Sequence, residues 1–180
     1  MTCITCWRTC RRFAESLALV SLLASSPSAK EVPVEALLHP NADSWPTYHG
    51  DYSGRHHSRL TQIAPANVKQ LTLEWAFQTN LTQSIKATPI VVNGIIYLSA
   101  PDNVWAIDAL DGREIWHYFW KTRGATHIGN RGVGIWRNYL FFETPDNYLV
   151  SLDARTGQER WHVEIADFDQ QYFSTPAPII

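Results

Sequence analysis

The chain has 180 residues, a formal net charge of -2 and eight tryptophans. That mildly acidic composition carries no basic stripe, which argues against a nucleic-acid partner. All three cysteines, Cys3, Cys6 and Cys10, fall within the first ten residues, so no disulfide framework runs through the rest.

The N-terminus has the order of an export signal. Arg8, Arg11 and Arg12 form a basic region, Leu17 to Ala24 an apolar core too short to span a bilayer, and Ser25 to Ala29 a small-residue cleavage region. Residues 1–29 are therefore read as a signal peptide cut near Ala29, giving a periplasmic or secreted protein. An uncleaved anchor is disfavoured because Glu15 interrupts the short apolar run. The cysteine spacing mimics a metal cluster but lies in the leader, and no lipobox-type cysteine follows the apolar core. Removing the leader takes away three Arg and one Glu, moving the charge from -2 to -4. Residues 30–44 read as a polar, proline-containing linker.

The segment Trp45 to Gln62, W-P-T-Y-H-G-D-Y-S-G-R-H-H-S-R-L-T-Q, is dense in His, Tyr and Gly. His49, His56 and His57 are candidate metal ligands, but no carboxylate or Cys completes a recognisable spacing, which favours polar loop residues. Pro65 to Leu71 reads as one helical turn, and Leu71 to Phe77 as a strand with no preceding partners, which completes a blade whose other strands come from the C-terminus.

From Thr88 the chain repeats itself. Asp108, Gly112 and Trp116 recur 45 positions later as Asp153, Gly157 and Trp161, and a third copy opens at Ser174 to Ile180. A period of this size marks a repeated supersecondary unit. Short β-rich runs at Pro89 to Val92, Ile95 to Leu98, Val104 to Ile107 and Glu114 to Phe119 are separated by the turn pairs Asn93-Gly94, Pro101-Asp102-Asn103 and Asp111-Gly112. Four short strands per repeat predict an all-β fold, a β-propeller, of which about two blades and the start of a third are present. No run keeps helical periodicity long enough to support the alternative. In the repeated Asp-Ala-x-x-Gly-x-x-x-Trp, glycine serves a tight turn and tryptophan packs an outer strand against the neighbouring blade.

Thr126-His127-Ile128-Gly129-Asn130-Arg131-Gly132 sits just before a blade's first strand, where loops ring the central channel of a propeller. Arg131 between close glycines is a suitable fork for a carboxylate, and pairing with a neighbouring Asp or carbonyl is an equally open reading.

In order, the Trp45 to Ile63 segment, the doubled D-A-x-x-G-x-x-x-W and the N-R-G at Asn130 to Gly132 resemble the N-terminal part of the quinoprotein alcohol and glucose dehydrogenases. The resemblance covers about Trp45 to Ile180. It implies an eight-bladed propeller that holds pyrroloquinoline quinone near its axis, usually with calcium. It further implies oxidation of an alcohol or sugar, with electrons passed to a cytochrome or a membrane quinone. Matched residue by residue, Arg131 stands where the family grips a quinone carboxylate, and Thr175 where a threonine bonds the cofactor. His127 stands where glucose dehydrogenases place a His over the quinone. Lys86 occupies a position held by a cofactor-contacting Glu, and Ala125 and Thr126 replace the adjacent cysteines of the alcohol-oxidising branch. The general base and metal ligands are expected beyond Ile180, so this stretch alone is not expected to turn over. The alternative reading is a non-catalytic propeller similar to the scaffold of outer-membrane assembly, which binds protein partners.

Overall fold

The computed structural model describes residues 30–124 and 129–180. Two four-stranded antiparallel sheets form its body. The first comprises β1 (Ile90–Val92), β2 (Ile95–Ala100), β3 (Asn103–Asp108) and β4 (Glu114–Phe119); the second comprises β5 (Gly134–Trp136), β6 (Tyr139–Glu143), β7 (Tyr148–Asp153) and β8 (Glu159–Glu164). Each is an up-and-down meander in chain order, the form of a propeller blade.

Turn chemistry sets these boundaries. Asn93 (φ 54°) and Gly94 (φ 75°) supply two consecutive left-handed residues, the signature of the two-residue hairpin that joins β1 to β2. The β2–β3 link is Pro101-Asp102, since Ala100 pairs directly with Asn103. The matching link of the second blade is longer: the Thr144 amide bonds the Tyr148 carbonyl at 2.8 Å, with Asn147 left-handed at φ 65°. The two blades therefore differ by one residue at this loop.

Strand parity directs the side chains. On β3, Val104 and Ala106 join the cluster between the two blades, whereas Trp105 and Ile107 face away and pack with Phe77 and Leu81. The inter-blade cluster holds Tyr97, Leu140, Phe142, Val150 and Leu152, each buried, and burial of one such side chain is worth about 1.5–3 kcal/mol. Strand β3 is buried along its whole length and β8 is exposed along its own, because only the first blade is covered on both faces by described residues.

Both blades carry a bulge at the same place. Pairing shifts between Ala106 and Ile107 against β4, and between Ser151 and Leu152 against β8. An extra residue there twists the outer strand just before its tryptophan.

Two expectations change. Residues 71–77 form no strand, because no ladder partner for them exists among the described residues; the sheets begin at Ile90. Residues 30–44, read as a linker, are packed: Val32 bridges Arg137 in antiparallel fashion, and the helix α1 (Val34–Leu38) buries Leu37 in the inter-blade core. Two well-spaced apolar side chains suffice to anchor that stretch. Ser174 to Ile180 likewise has no assigned strand, yet it runs close beside β5, where a Cβ on Gly134 would lie 2.7 Å from the Pro178 carbonyl oxygen. The proposed leader lies outside the described residues.

Candidate functional site

The residues that precede each blade's first strand are stitched together by backbone. The Thr88 amide donates to the Arg131 carbonyl at 2.9 Å, and the Arg131 amide donates to the Thr175 carbonyl at 3.0 Å. Three successive copies of the repeat thus converge at Thr88, Arg131 and Thr175, which makes this the inner edge of the assembly. Small residues permit the approach. Gly132 has φ 147°, and a Cβ there would meet the Thr88 carbonyl oxygen at 3.1 Å; one on Gly129 would meet the Pro101 ring at 2.5 Å.

Arg131 is held from one side only. Its Nη1 donates to Thr175 Oγ1 at 2.6 Å and to the Thr175 carbonyl at 3.3 Å. The Nε and Nη2 edge has no partner among the described residues, although a guanidinium carries five N–H donors in a planar fork. Arg131 also lines a cavity of about 250 Å³ walled by Tyr48, Val133, Ile135, Ala177 and Ile179. Of the two readings left open for Arg131, the described residues show carbonyl and hydroxyl pairing and no carboxylate.

The other expected site residues divide. Thr175 is half-buried and in direct contact with Arg131, though it does not line the cavity. Lys86 is exposed, two residues ahead of Thr88, with no ion pair among the described residues. His127 lies outside the described residues. His49 Nδ1 and His56 Nε2 face each other at 2.5 Å on the exposed N-terminal loop, and no group of three metal-ligating side chains occurs among the described residues.

Sequence reasoning missed the support behind this edge. Asn130, 1% exposed, donates through Nδ2 to the Glu143 carbonyl at 3.0 Å and accepts from the Ser99 hydroxyl. The Ser174 hydroxyl donates to Glu143 Oε2. The only signal for these contacts was position, since Asn130 and Ser174 each stand immediately before a residue singled out above.

A second polar cluster links the two β-hairpin turns. Asp146 is fully buried and accepts from Thr144 Oγ1 at 2.6 Å, Trp120 Nε1 at 2.9 Å and the Arg123 amide at 3.1 Å. Asp102, in the equivalent turn of the first blade, has a buried Oδ1 with no partner among the described residues. Burial, and then the charge of Asp146, push its carboxyl up to about 6.

Residues 45–171 match the model of the PQQ glucose/ethanol/alcohol dehydrogenase β-propeller domain. The chain belongs to that family. It is 42% identical over 125 residues to a quinohemoprotein alcohol dehydrogenase of Comamonas testosteroni, covering 66% of this chain and 18% of that protein. It is 35% identical to a 1-butanol dehydrogenase (cytochrome c) of Thauera butanivorans, covering 74% of this chain and 20% of that one. Among solved structures, the quinohemoprotein alcohol dehydrogenase ADHIIG of Pseudomonas putida superposes with a TM-score of 0.78 at 32% identity, covering 87% of this chain and 24% of that chain. A europium-containing methanol dehydrogenase superposes at 0.74 and 28% identity, covering 79% and 27%. The chain thus spans about a fifth of the length of the curated relatives it matches. These superpositions support the propeller reading of the two sheets.

Proposed function

We propose that the full-length protein is an exported, pyrroloquinoline quinone-dependent alcohol dehydrogenase, and that this stretch supplies part of its cofactor site. The observation that carries the reading is Arg131: Thr175 fixes one edge of the guanidinium and leaves the other without a partner among the described residues, at a cavity rim on the converging inner edge. The donor set suits the cofactor, whose carboxylates need rigid cationic forks. Arg131 would grip one carboxylate bidentately, Thr175 would hold Arg131 in plane, and Lys86 would add a second positive charge near the same edge. His127, four residues before Arg131 and outside the described residues, is kept as a further cofactor residue on the family resemblance alone.

When bound, the quinone supplies a two-electron acceptor for the carbinol hydrogen of the substrate. This chain's own residues orient and neutralise it; the general base and the calcium ligands are assigned to other parts of the full-length protein. The relatives' names, all alcohol dehydrogenases, support an alcohol over a sugar; they divide over the acceptor, one naming a cytochrome and others a quinone, so both acceptors stay open.

Steady-state oxidation tests the reading. Full-length protein loaded with pyrroloquinoline quinone and calcium should reduce an artificial electron acceptor with ethanol or 1-butanol, and more slowly with glucose. Loaded protein that reduces no acceptor with any alcohol would contradict the proposal and favour a partner-binding propeller.

A further inference from the structure

The repeat is aligned by its hairpins: Ile95 opens β2 after its turn as Tyr139 opens β6, so Ser99 and Glu143 occupy the same position in their blades. Both reach across to the following copy of the repeat. The Ser99 hydroxyl donates to Asn130 Oδ1, and Glu143 Oε2 accepts from the Ser174 hydroxyl. Asn130 and Ser174 each stand immediately before a residue of the inner-edge ladder, Arg131 and Thr175. One repeat position is therefore used twice to brace the residue behind a ladder residue.

In the second brace the acceptor is a carboxylate oxygen, so the bond can be charge-assisted. It is also tied to the first. The Glu143 carbonyl accepts from Asn130 Nδ2 at 3.0 Å, so one residue contacts the chain behind both Arg131 and Thr175. Thr175 in turn presents its hydroxyl and its carbonyl to the same Arg131 nitrogen. Backbone drift at Ser174 would rotate the Thr175 hydroxyl away from Nη1 and release the guanidinium plane.

We infer that Glu143 is a positioning residue for ligand binding: its carboxylate fixes Ser174, and through it the Thr175 face that holds the Arg131 fork. The inference rests on the cofactor assignment proposed above, and it adds a residue that does not itself touch the cofactor.

Pyrroloquinoline quinone titration of the full-length protein, followed by quenching of tryptophan fluorescence and paired with a melting curve for each variant, tests it. Glu143→Ala should weaken quinone binding roughly tenfold, the loss of one charge-assisted bond's worth of ordering. Glu143→Gln, whose amide oxygen still accepts from Ser174, should restore most of the affinity. Ser174→Ala should match Glu143→Ala, and the double variant should be no worse than either single one, since both remove the same bond. Ser174→Ala also carries the test if Glu143→Ala fails to fold. A lower melting temperature with unchanged quinone affinity in Glu143→Ala or Ser174→Ala would overturn the inference and leave only a structural role. Wild-type protein that binds no quinone would overturn the cofactor assignment and this inference together.

Discussion

The indole of Trp116, on the outer strand of the first blade, lies on Gly157 in the last turn of the second. A Cβ on Gly157 would stand 2.6 Å from the ring, and the indole Nε1 donates to the Ala154 carbonyl at 3.1 Å. Trp75 makes the same contact one blade earlier, where a Cβ on Gly112 would stand 2.5 Å from its ring. The glycine of each Asp-Ala-x-x-Gly turn therefore does two jobs. Its left-handed conformation, φ 73° and 71°, closes the turn, and its bare Cα forms the platform for the preceding blade's tryptophan.

Gly157→Ala should accordingly destabilise the protein by about 2–4 kcal/mol, combining an unfavourable φ with overpacking against the indole. Gly94→Ala is the control. Its φ is 75° but nothing lies within 4 Å of the added Cβ, so the cost should be only about 1 kcal/mol. Urea midpoints of the two variants measure the difference, which is the contribution of the close approach. Trp116→Ala should cost about 3–5 kcal/mol.

Asp102 predicts a pH dependence of defined sign. Its carboxyl titrates at about 6 in the folded chain against 3.8 in the unfolded one, so the folded state binds the extra proton between those values. Stability must then fall as pH rises from about 4 to about 6. The groups facing this turn from neighbouring elements are Asp146 and, beyond it, Arg123 and Glu164. Asp102→Asn removes the titration: it should be more stable than wild type at pH 7 and equal to it near pH 4. Urea unfolding at both values checks this, and a variant that loses stability at pH 7 would show that the ionised carboxylate is stabilising.

We propose cleavage of the leader near Ala29, so the exported protein should begin near Lys30, which removes all three cysteines of residues 1–180. Because Val32 and Leu37 are core residues, a mature chain shortened past Leu37 should lose stability, whereas one starting at Lys30 keeps both anchors. N-terminal sequencing of the exported protein decides the point; a sequence beginning at Met1 or Thr2 would contradict it.

What was legible in the sequence is what repeats or turns. Asn93-Gly94 and Gly112 require backbone conformations that few residues adopt, and the doubled Asp, Gly and Trp fixed the blade length, so the strands of the first blade are found within two residues of expectation. Residues 71–77 form no ladder because the strands expected to pair with them come from the C-terminus, yet Trp75 already packs on Gly112 as Trp116 packs on Gly157. Residues 30–44 misled because two buried side chains leave almost no periodic trace. At the site, Arg131 and Thr175 were read from motif order and do meet, but the brace behind them was not legible: Ser99 and Glu143 are chemically unlike, and only the three-dimensional repeat shows that they stand at one position.

In the proposed cofactor site Arg131, held by Thr175, grips a quinone carboxylate. Titration of the full-length protein with pyrroloquinoline quinone and calcium, comparing wild type with Arg131→Ala and Lys86→Glu, tests it most directly. Losing the fork should weaken binding by roughly a hundredfold, because a buried carboxylate is left unpaired, while wild type binds and Lys86→Glu gains nothing. Equal binding by wild type and Arg131→Ala would remove Arg131 from the site, and binding seen only in Lys86→Glu would show that the natural protein does not take the quinone.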